Sequence, residues 1–286
     1  MTDLHEYTEI LYSASDHVAT IVLNRPDRRN ALDYRLRREL VDALRRAEAD
    51  DEVSLVLIEG AGPSFCSGYD MAMGPDAGPP PEGWVSSEHY DGWTDQFARS
   101  CLRDWLTIWD LLKPVVAKVH GHCLAGGTEL MSMCDIAFVA DDAIIGYPPM
   151  RGMTTPDVPY FPWKMTMARA KYLQLTGNTV SGKEAAAMGW VAKSFPADEL
   201  DEAVLREVRP MAQIAPDLLA ANKAELNEAY EVMGMRTALQ RAWQWHTVTQ
   251  RLRPRRNDFG QTMREGGLRA AIEWRDGPFR KEGFPI

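Results

Sequence analysis

The sequence lacks the features that mark secreted, membrane-spanning and zinc-binding proteins. Its 286 residues include four cysteines, none of them in a CxxC pair. No apolar run approaches the roughly 20 residues that span a bilayer. The N-terminus MTDLHEYTEI has neither the basic stretch nor the apolar segment of a secretory signal. We therefore expect a soluble, cytoplasmic protein without a metal site, with its cysteines reduced: Cys66, Cys101, Cys123 and Cys134.

Positive charge is also scarce. The 32 Lys and Arg residues are outnumbered by 41 Asp and Glu residues, which gives a formal net charge of -9. Such a chain is repelled by a phosphate polymer unless its basic groups cluster, so neither nucleic acid nor a membrane is expected as a partner. With 45% hydrophobic residues, a chain of this length can bury a large core.

Hydrophobic patterning predicts an α/β layer architecture. Apolar and β-branched residues predict strands at His17–Leu23 and Val53–Ile58, and helically spaced apolar residues predict a helix over Leu32–Ala49 between them. This succession is typical of a sheet covered by helices. Farther along, the same patterns predict one helix and three strands: Phe97–Leu112, Val115–Val119, Ile136–Ala140 and Ala143–Ile145.

Composition divides the chain into a core with one insertion and a helical C-terminal region. Clustered Pro and Gly between Gly74 and Gly92 cannot sustain regular structure, which predicts a long loop or insertion at about 74–95. Beyond Ser181 the periodicity is helical, with helices expected near Ala203–Met211 and Leu218–Val232. We therefore assign residues 1–200 to the core and 201–286 to a helical region.

Two Gly-containing segments, Ser64–Asp70 and Gly121–Glu129, follow predicted strands and are interpreted as strand-to-helix turns. At such a turn the first N–H groups of the helix have no internal partner, so two of them aimed at one point would stabilise a developing oxyanion. Taken singly, each segment could equally be a simple connector.

A set of short motifs, in order and at the right approximate spacing, resembles the crotonase superfamily, the enoyl-CoA hydratase and isomerase fold. The motifs cover most of the chain: Asn24-Arg25-Pro26, Asn30-Ala31-Leu32, Phe65 to Asp70, Lys113-Pro114-Val115, Ala125 to Leu130, Cys134-Asp135, Leu175-Thr176-Gly177 and Ala185 to Gly189.

This resemblance implies a spiral of ββα units with a C-terminal helical region that assembles trimers or hexamers. It also implies a coenzyme A thioester as substrate and no permanently bound cofactor. By position, the backbone N–H groups of Tyr69 and Gly126 would form the oxyanion hole for the thioester carbonyl. The Tyr69 ring is expected only to pack.

Glu129 is expected to be the general acid/base, since it follows Gly126 by three residues. The alternative is a first-turn Glu that merely complements the helix dipole. A typical hydratase has a second Glu, but Pro149 stands at that position here. Asp157, eight residues later, lies at the offset where dienoyl-CoA isomerases of the superfamily place a catalytic Asp; it could also belong to an ordinary Pro-Asp turn.

Further residues are expected near the substrate. Arg25, Arg28 and Arg29 could meet CoA phosphates or form a solvated turn. The insertion would bring His89, Tyr90 and Trp93 beside the acyl pocket, and His120 and His122 are weaker catalytic candidates. The apolar Tyr160-Phe161-Pro162-Trp163 segment would suit a hydrophobic or ring-bearing acyl group. The resemblance adds these substrate-binding candidates: Cys66, Gly68, Gly127, Tyr147, Pro149 and Phe279.

The motifs therefore favour an acyl-CoA enzyme that hydrates enoyl-CoA. The alternatives are double-bond isomerisation, carbon-carbon hydrolysis of a cyclic-ketone acyl-CoA, and acyl-CoA binding without turnover.

Overall fold

Two β-sheets organise the chain in the computed structural model, which describes residues 7–71, 96–251 and 259–284. The larger sheet has six strands in the order β1 (Ile10–Ser15), β2 (Val18–Leu23), β3 (Leu55–Gly60), β4 (Val115–Val119), β6 (Ile136–Ala140) and β9 (Lys193–Phe195). The smaller has three, in the order β5 (His122–Leu124), β7 (Ile144–Gly146) and β8 (Thr179–Ser181). Strands β2, β3, β4, β6 and β9 run parallel, while β1 pairs antiparallel with β2 at the edge.

Eleven α-helices accompany the strands within the described ranges. They are α1 (Tyr34–Ala49), α2 (Gln96–Asp110), α3 (Gly126–Met133), α4 (Phe161–Lys164), α5 (Met167–Thr176), α6 (Gly182–Met188), α7 (Leu200–Ala212), α8 (Pro216–Val232), α9 (Met235–Gln240), α10 (Ala242–Arg251) and α11 (Phe259–Lys281). Helix α11 is broken at Gly267, whose φ of 77° is not helical.

Helix α1 illustrates how the sequence forms these elements. Asp33 is its N-cap, and the Asp33 side chain accepts a hydrogen bond from the Leu36 N–H at 2.9 Å. Leu36, Leu40 and Leu44 recur at helical spacing and are fully buried with the strands, as the sequence predicted. Strands β3 and β4 are almost continuously apolar because parallel strands are buried on both faces.

The architecture agrees with the predicted fold class in having a mixed α/β core followed by helices. The repeated unit, two strands and then a helix, is clearest where β4 and β5 are followed by α3. The next pair of strands, β6 and β7, comes directly after α3. The patterns missed β1 and the three-residue strands β5, β8 and β9, which are too short for alternation to register.

The last part of the described chain is helical and packs on the core. Apolar residues of α7 and α9 join the same hydrophobic cluster as the sheets. Helix α10 contacts α2 and α9, and α11 contacts the 3₁₀ turn Pro148–Arg151. None of the helices in the described ranges has the length and apolarity needed to cross a membrane.

Candidate active site

Glu129 lies in the first turn of α3, which begins at Gly126 directly after β5. The preceding residue, Ala125, has a φ of 49°, a left-handed conformation that turns the chain sharply into the helix. Although first turns often face solvent, Glu129 is fully buried. Its Oε1 accepts a hydrogen bond from the Val158 N–H at 3.1 Å. A Glu that only complemented a helix dipole would have no reason to be buried, so the geometry favours a chemical role.

The Tyr69 side chain contacts Glu129, which differs from the expectation that its ring only packs. Its hydroxyl donates to Glu129 Oε2 at 2.6 Å and accepts from Trp105 Nε1 at 2.9 Å. The Tyr69 ring also covers Gly126, where an added Cβ would lie 2.7 Å from the ring. The position of Tyr69 in the motif could not reveal its contacts with Glu129 and Trp105, because both partners lie far from Tyr69 along the chain.

A buried arginine supports the Tyr69 ring from behind. The Arg37 guanidinium lies 5.7 Å from the centre of the Tyr69 ring and 5.6 Å from that of Phe97, within cation–π range. Arg37 Nε donates to Asp104 at 2.7 Å, and Nη2 donates to Ser100 at 3.0 Å. The signal in the sequence was a basic residue on the apolar face of α1, beside Leu36 and Leu40.

Asp157 lies beside Glu129 in the same buried site. It is 3% exposed, and its Oδ2 accepts a hydrogen bond from the Tyr147 hydroxyl at 3.1 Å. Its Oδ1 lies 3.3 Å from His246 Nε2, on α10. An ordinary surface turn would expose its carboxylate to water, so the burial of Asp157 favours the alternative of a role in the site, which stays a prediction.

The electrostatics show that the two carboxyl groups interact. Burial, and then the charge of Asp157, raise the pKa of Glu129 well above its usual range, against the hydrogen bonds from Tyr69, Val158 and Tyr147. Burial, and then neighbouring negative groups, likewise raise the pKa values of Tyr69 and Tyr147 well above normal. Both phenols therefore stay protonated at neutral pH and can donate hydrogen bonds.

The two backbone amides expected at an oxyanion hole are free donors. Among the described residues, neither the Tyr69 N–H nor the Gly126 N–H has a hydrogen-bond acceptor. Gly68, with a φ of 104°, brings the two segments together: a Cβ there would lie 2.8 Å from the Ala125 Cβ and 3.4 Å from the Gly126 nitrogen. The interpretation of Ser64–Asp70 as a strand-to-helix turn is not borne out as far as Met71, because this segment is a loop bridged to Leu32 and Cys123.

The backbone at Gly127 packs against Cys66 too closely for any side chain to fit at position 127. A Cβ on Gly127 would lie 2.6 Å from the Cys66 carbonyl oxygen. The Cys66 side chain is buried, and burial raises the pKa of its thiol to about 12, so it is inert packing rather than a nucleophile. Pro149 occupies the 3₁₀ turn Pro148–Arg151 and is half-buried.

The three arginines of the first turn differ in environment. The Arg25 guanidinium contacts Glu9 at 2.7 Å and both Asp33 and Asp70 at 3.2 Å. These contacts give Arg25 a structural role in the first turn, and its contact with a CoA phosphate stays a prediction. Arg28 and Arg29 are exposed.

The remaining candidates lie away from the carboxyl groups. His122 Nδ1 is 3.2 Å from Ser64 Oγ, and His120 Nε2 is 2.8 Å from the Gly62 carbonyl oxygen. The Phe279 ring stacks 4.2 Å from the Arg151 guanidinium of the same chain. His89, Tyr90 and Trp93, with most of the expected insertion, lie outside the described residues.

Within the described residues no group of three His, Cys, Asp or Glu side chains could hold a metal ion. What the site offers is two free amides and two interacting carboxyl groups among aromatic side chains, an arrangement suited to acid–base chemistry beside a carbonyl group. Sequence reasoning missed Trp105, Arg37 and His246, which come from helices that reach the site only after folding.

Comparisons with known proteins agree with this geometry. The family model described as enoyl-CoA hydratase/isomerase matches residues 13–265. The chain belongs to the enoyl-CoA hydratase/isomerase family. It is therefore an enzyme of a family that acts on CoA thioesters.

Individual members of the family match along most of this chain. A Mycobacterium tuberculosis protein named as an enoyl-CoA hydratase, EchA13, is 31% identical over 262 residues, which covers 85% of this chain and 81% of that protein. The hydroxycinnamoyl-CoA hydratase-lyase of Pseudomonas fluorescens is 30% identical over 214 residues, covering 73% and 74%. The crystal structure of an enoyl-CoA hydratase from Mycobacterium smegmatis superposes with a TM-score of 0.86 at 30% identity, covering 97% and 96%.

Proposed function

We propose that this enzyme adds water reversibly across the α,β-double bond of an enoyl-CoA thioester, with Glu129 and Asp157 as its acid–base groups. The observation that carries the proposal is the burial of two interacting carboxyl groups at one site, with the Tyr147 hydroxyl hydrogen-bonded to Asp157. Hydration needs one group to activate water and one to exchange a proton with the α-carbon. Asp157 supplies the second carboxyl group, which the proline at position 149 lacks.

The proposed reaction begins with the thioester carbonyl at the Tyr69 and Gly126 amides. These donors withdraw electrons from the double bond and stabilise the enolate oxygen that forms when water adds to the β-carbon. The water loses one proton to a carboxylate, its oxygen bonds to the β-carbon, and the α-carbon takes a proton from the other carboxyl group. The burial of both groups supports this step, because their charges act in a site shielded from bulk solvent, where electrostatic interactions are stronger than in water.

The acyl group is proposed to be hydrophobic or ring-bearing. Two tyrosines contact the carboxyl groups, Tyr69 at Glu129 and Tyr147 at Asp157. Further aromatic side chains lie one contact away: Phe97 and Trp105 on Tyr69, and Tyr160 on Thr128. The similarity to a hydroxycinnamoyl-CoA hydratase-lyase adds an aromatic thioester to the substrates worth testing. For coenzyme A itself we propose contacts from Arg28, Arg29 and Phe279, and from the backbone around Gly68, Gly127 and Pro149.

Double-bond isomerisation is the second candidate, and the place of the second carboxyl group favours it. Asp157 stands at the offset used by dienoyl-CoA isomerases, whereas the position of the second hydratase Glu holds Pro149. The same two groups could move a proton along the acyl chain without adding water. Self-association and a cytoplasmic location stay predictions from the sequence.

The test is turnover of enoyl-, dienoyl-, hydroxycinnamoyl- and cyclic-ketone CoA thioesters in H₂¹⁸O and in D₂O, with products identified by mass and double-bond position. Hydration places ¹⁸O on the β-carbon and deuterium on the α-carbon, whereas isomerisation adds no oxygen. A product lacking ¹⁸O from every enoyl substrate would overturn the hydratase assignment.

Two variants test the residues. Glu129→Gln and Asp157→Asn should each lower hydration by about 100-fold or more and leave CoA-thioester binding intact. The exposed substitutions Glu225→Gln and Asp142→Asn make the same chemical changes elsewhere and should leave the rate unchanged. Hydration at the wild-type rate by the folded Asp157→Asn variant would exclude Asp157 from the reaction.

A further inference from the structure

His246 comes to the proposed active site from α10, in the C-terminal helical region. It is 5% exposed, and its Nε2 lies 3.3 Å from Asp157 Oδ1. One helical turn later, Thr249 Oγ1 lies 3.2 Å from Thr154 Oγ1, in the loop that carries Asp157. Two contacts on one face of α10 therefore attach this helix to the Asp157 loop.

The neighbours of the two carboxyl groups are not equivalent. Glu129 receives hydrogen bonds from neutral donors, the Tyr69 hydroxyl and the Val158 N–H. Asp157 has a neutral donor in Tyr147, but it also has an imidazole that can carry a positive charge. When two buried carboxyl groups share a site, the one beside a cation ionises first.

Among the described residues, the carboxylates on the helices that pack against α10 bind arginines. Helix α10 packs against α2 and α9 as well as the Asp157 loop. The charged and titratable groups on those two helices are Arg99, whose guanidinium lies over the Trp243 ring, Cys101, Arg103, Asp104, Asp110 and Arg236. Asp104 binds Arg37 and Asp110 binds Arg236, while burial raises the pKa of the Cys101 thiol well above normal and so keeps it neutral.

We propose that His246 is a positioning residue: as an imidazolium it holds Asp157 as the ionised member of the pair, which leaves the shared proton on Glu129. This inference rests on the proposed function and assigns each carboxyl group its role: Asp157 activates water, and Glu129 delivers the proton to the α-carbon. Protonated Glu129, ionised Asp157 and protonated His246 sum to zero charge, which lowers the cost of burying all three.

A measurement without substrate tests the ion pair itself. The Cε1–H signals of the six histidines can be followed by NMR against pH in the wild type and in Asp157→Asn. We expect one signal, His246, to stay protonated above pH 7 in the wild type. In Asp157→Asn, burial without a counter-charge should lower the pKa of His246 below its ordinary value. A neutral His246 at pH 6 in the wild type would overturn the proposal, whatever reaction the enzyme catalyses.

Kinetics test the consequence for the reaction. His246→Gln keeps a polar side chain beside Asp157 but carries no charge, so the pKa of the base should rise. The acidic limb of kcat/KM should therefore move to higher pH by about one unit or more, so that kcat/KM measured on the acidic side of both profiles should fall by about 10-fold. His17→Gln makes the same change at an exposed turn and should follow the wild-type profile.

The outcomes are distinguishable. If the folded His246→Gln variant, checked by its melting temperature, superimposes on the wild-type pH profile, His246 has only a structural role and the proposal is wrong. The product labelled with ¹⁸O and deuterium reports separately whether the reaction is hydration, so failure of one inference is not mistaken for failure of the other.

Discussion

Tyr69 has two separate features at the candidate site: a backbone N–H expected at the oxyanion hole, and a side chain that contacts Glu129. Its N–H has no acceptor among the described residues, while its hydroxyl donates to Glu129 and its ring covers Gly126. The motif indicated the backbone role, since any residue type can supply an N–H. The side-chain role depends on Trp105 and Arg37, which approach from α2 and α1.

Asn30 links the Asn30-Ala31-Leu32 motif to the segment that carries Tyr69. It is fully buried, and its side-chain amide donates to the Ala61 and Ser64 carbonyl oxygens at 2.9 and 2.8 Å, while its Oδ1 accepts from the Arg25 N–H at 2.8 Å. Asn30 thereby ties the first turn to the beginning of the segment that ends at Tyr69. The motif was visible in the sequence, but its partners were not.

The burial of Glu129 predicts a pH-dependent gain in stability when its charge is removed. A carboxyl group with a raised folded-state pKa costs no stability below the ordinary pKa, here 4.5. The cost grows as pH rises from there to the folded-state pKa and is constant above it. Glu129→Gln does not titrate at this position. The variant should therefore be more stable than the wild type at pH 8, by on the order of 1 to 2 kcal/mol, and this advantage should shrink toward pH 5.

Urea unfolding at pH 5 and pH 8 measures this difference, with Glu225→Gln as the exposed control. An advantage of the same size at both pH values would show that the Glu129 pKa is not raised.

At the scale of elements, the start of α3 permits a test of the Gly126 amide. Gly126→Pro removes the N–H, and proline is tolerated at a first helical position. Any side chain here also displaces the Tyr69 ring, so Gly126→Ala, which keeps the N–H, is the matched control. We expect the Pro variant to turn over about 100-fold more slowly than the Ala variant, provided that both melt as folded proteins. Equal rates would show that the turn is only a connector.

Element prediction succeeded where burial is periodic and failed for short strands whose pairing partners are distant along the chain. Strands Val115–Val119 and Ile136–Ala140 have the predicted bounds, and α8 begins two residues earlier than the predicted helix. The three-residue strands β5, β7 and β8 owe their existence to one another, because they form the smaller sheet. Such pairing depends on contacts between distant segments rather than on local pattern.

At the scale of the whole molecule, α8 exposes apolar side chains that an assembly would cover. Leu226 is 64% exposed and Val232 is 83% exposed, and Met233, just after the helix, is 60% exposed. Apolar surface of this kind is typical of protein–protein interfaces. We expect trimers or hexamers in sedimentation at micromolar concentration, as the family resemblance implies.

Leu226→Asp should weaken that assembly, whereas the same substitution at exposed Leu11 on β1 is the control. A stable, fully active monomer at micromolar concentration would contradict the prediction.

The sequence by itself determined the α/β core, the order of its main elements and the family, and it singled out Glu129, Asp157 and the amides of Tyr69 and Gly126 as candidates. These follow from periodic burial and from short motifs, whose residues are neighbours along the chain. Only the tertiary structure decided that the Tyr69 hydroxyl donates a hydrogen bond to Glu129, that Arg25 pairs with carboxylates, and that His246 lies beside Asp157. Each of these is a contact between segments that are distant in sequence, and whether they meet depends on how helices pack on the sheets rather than on any local pattern.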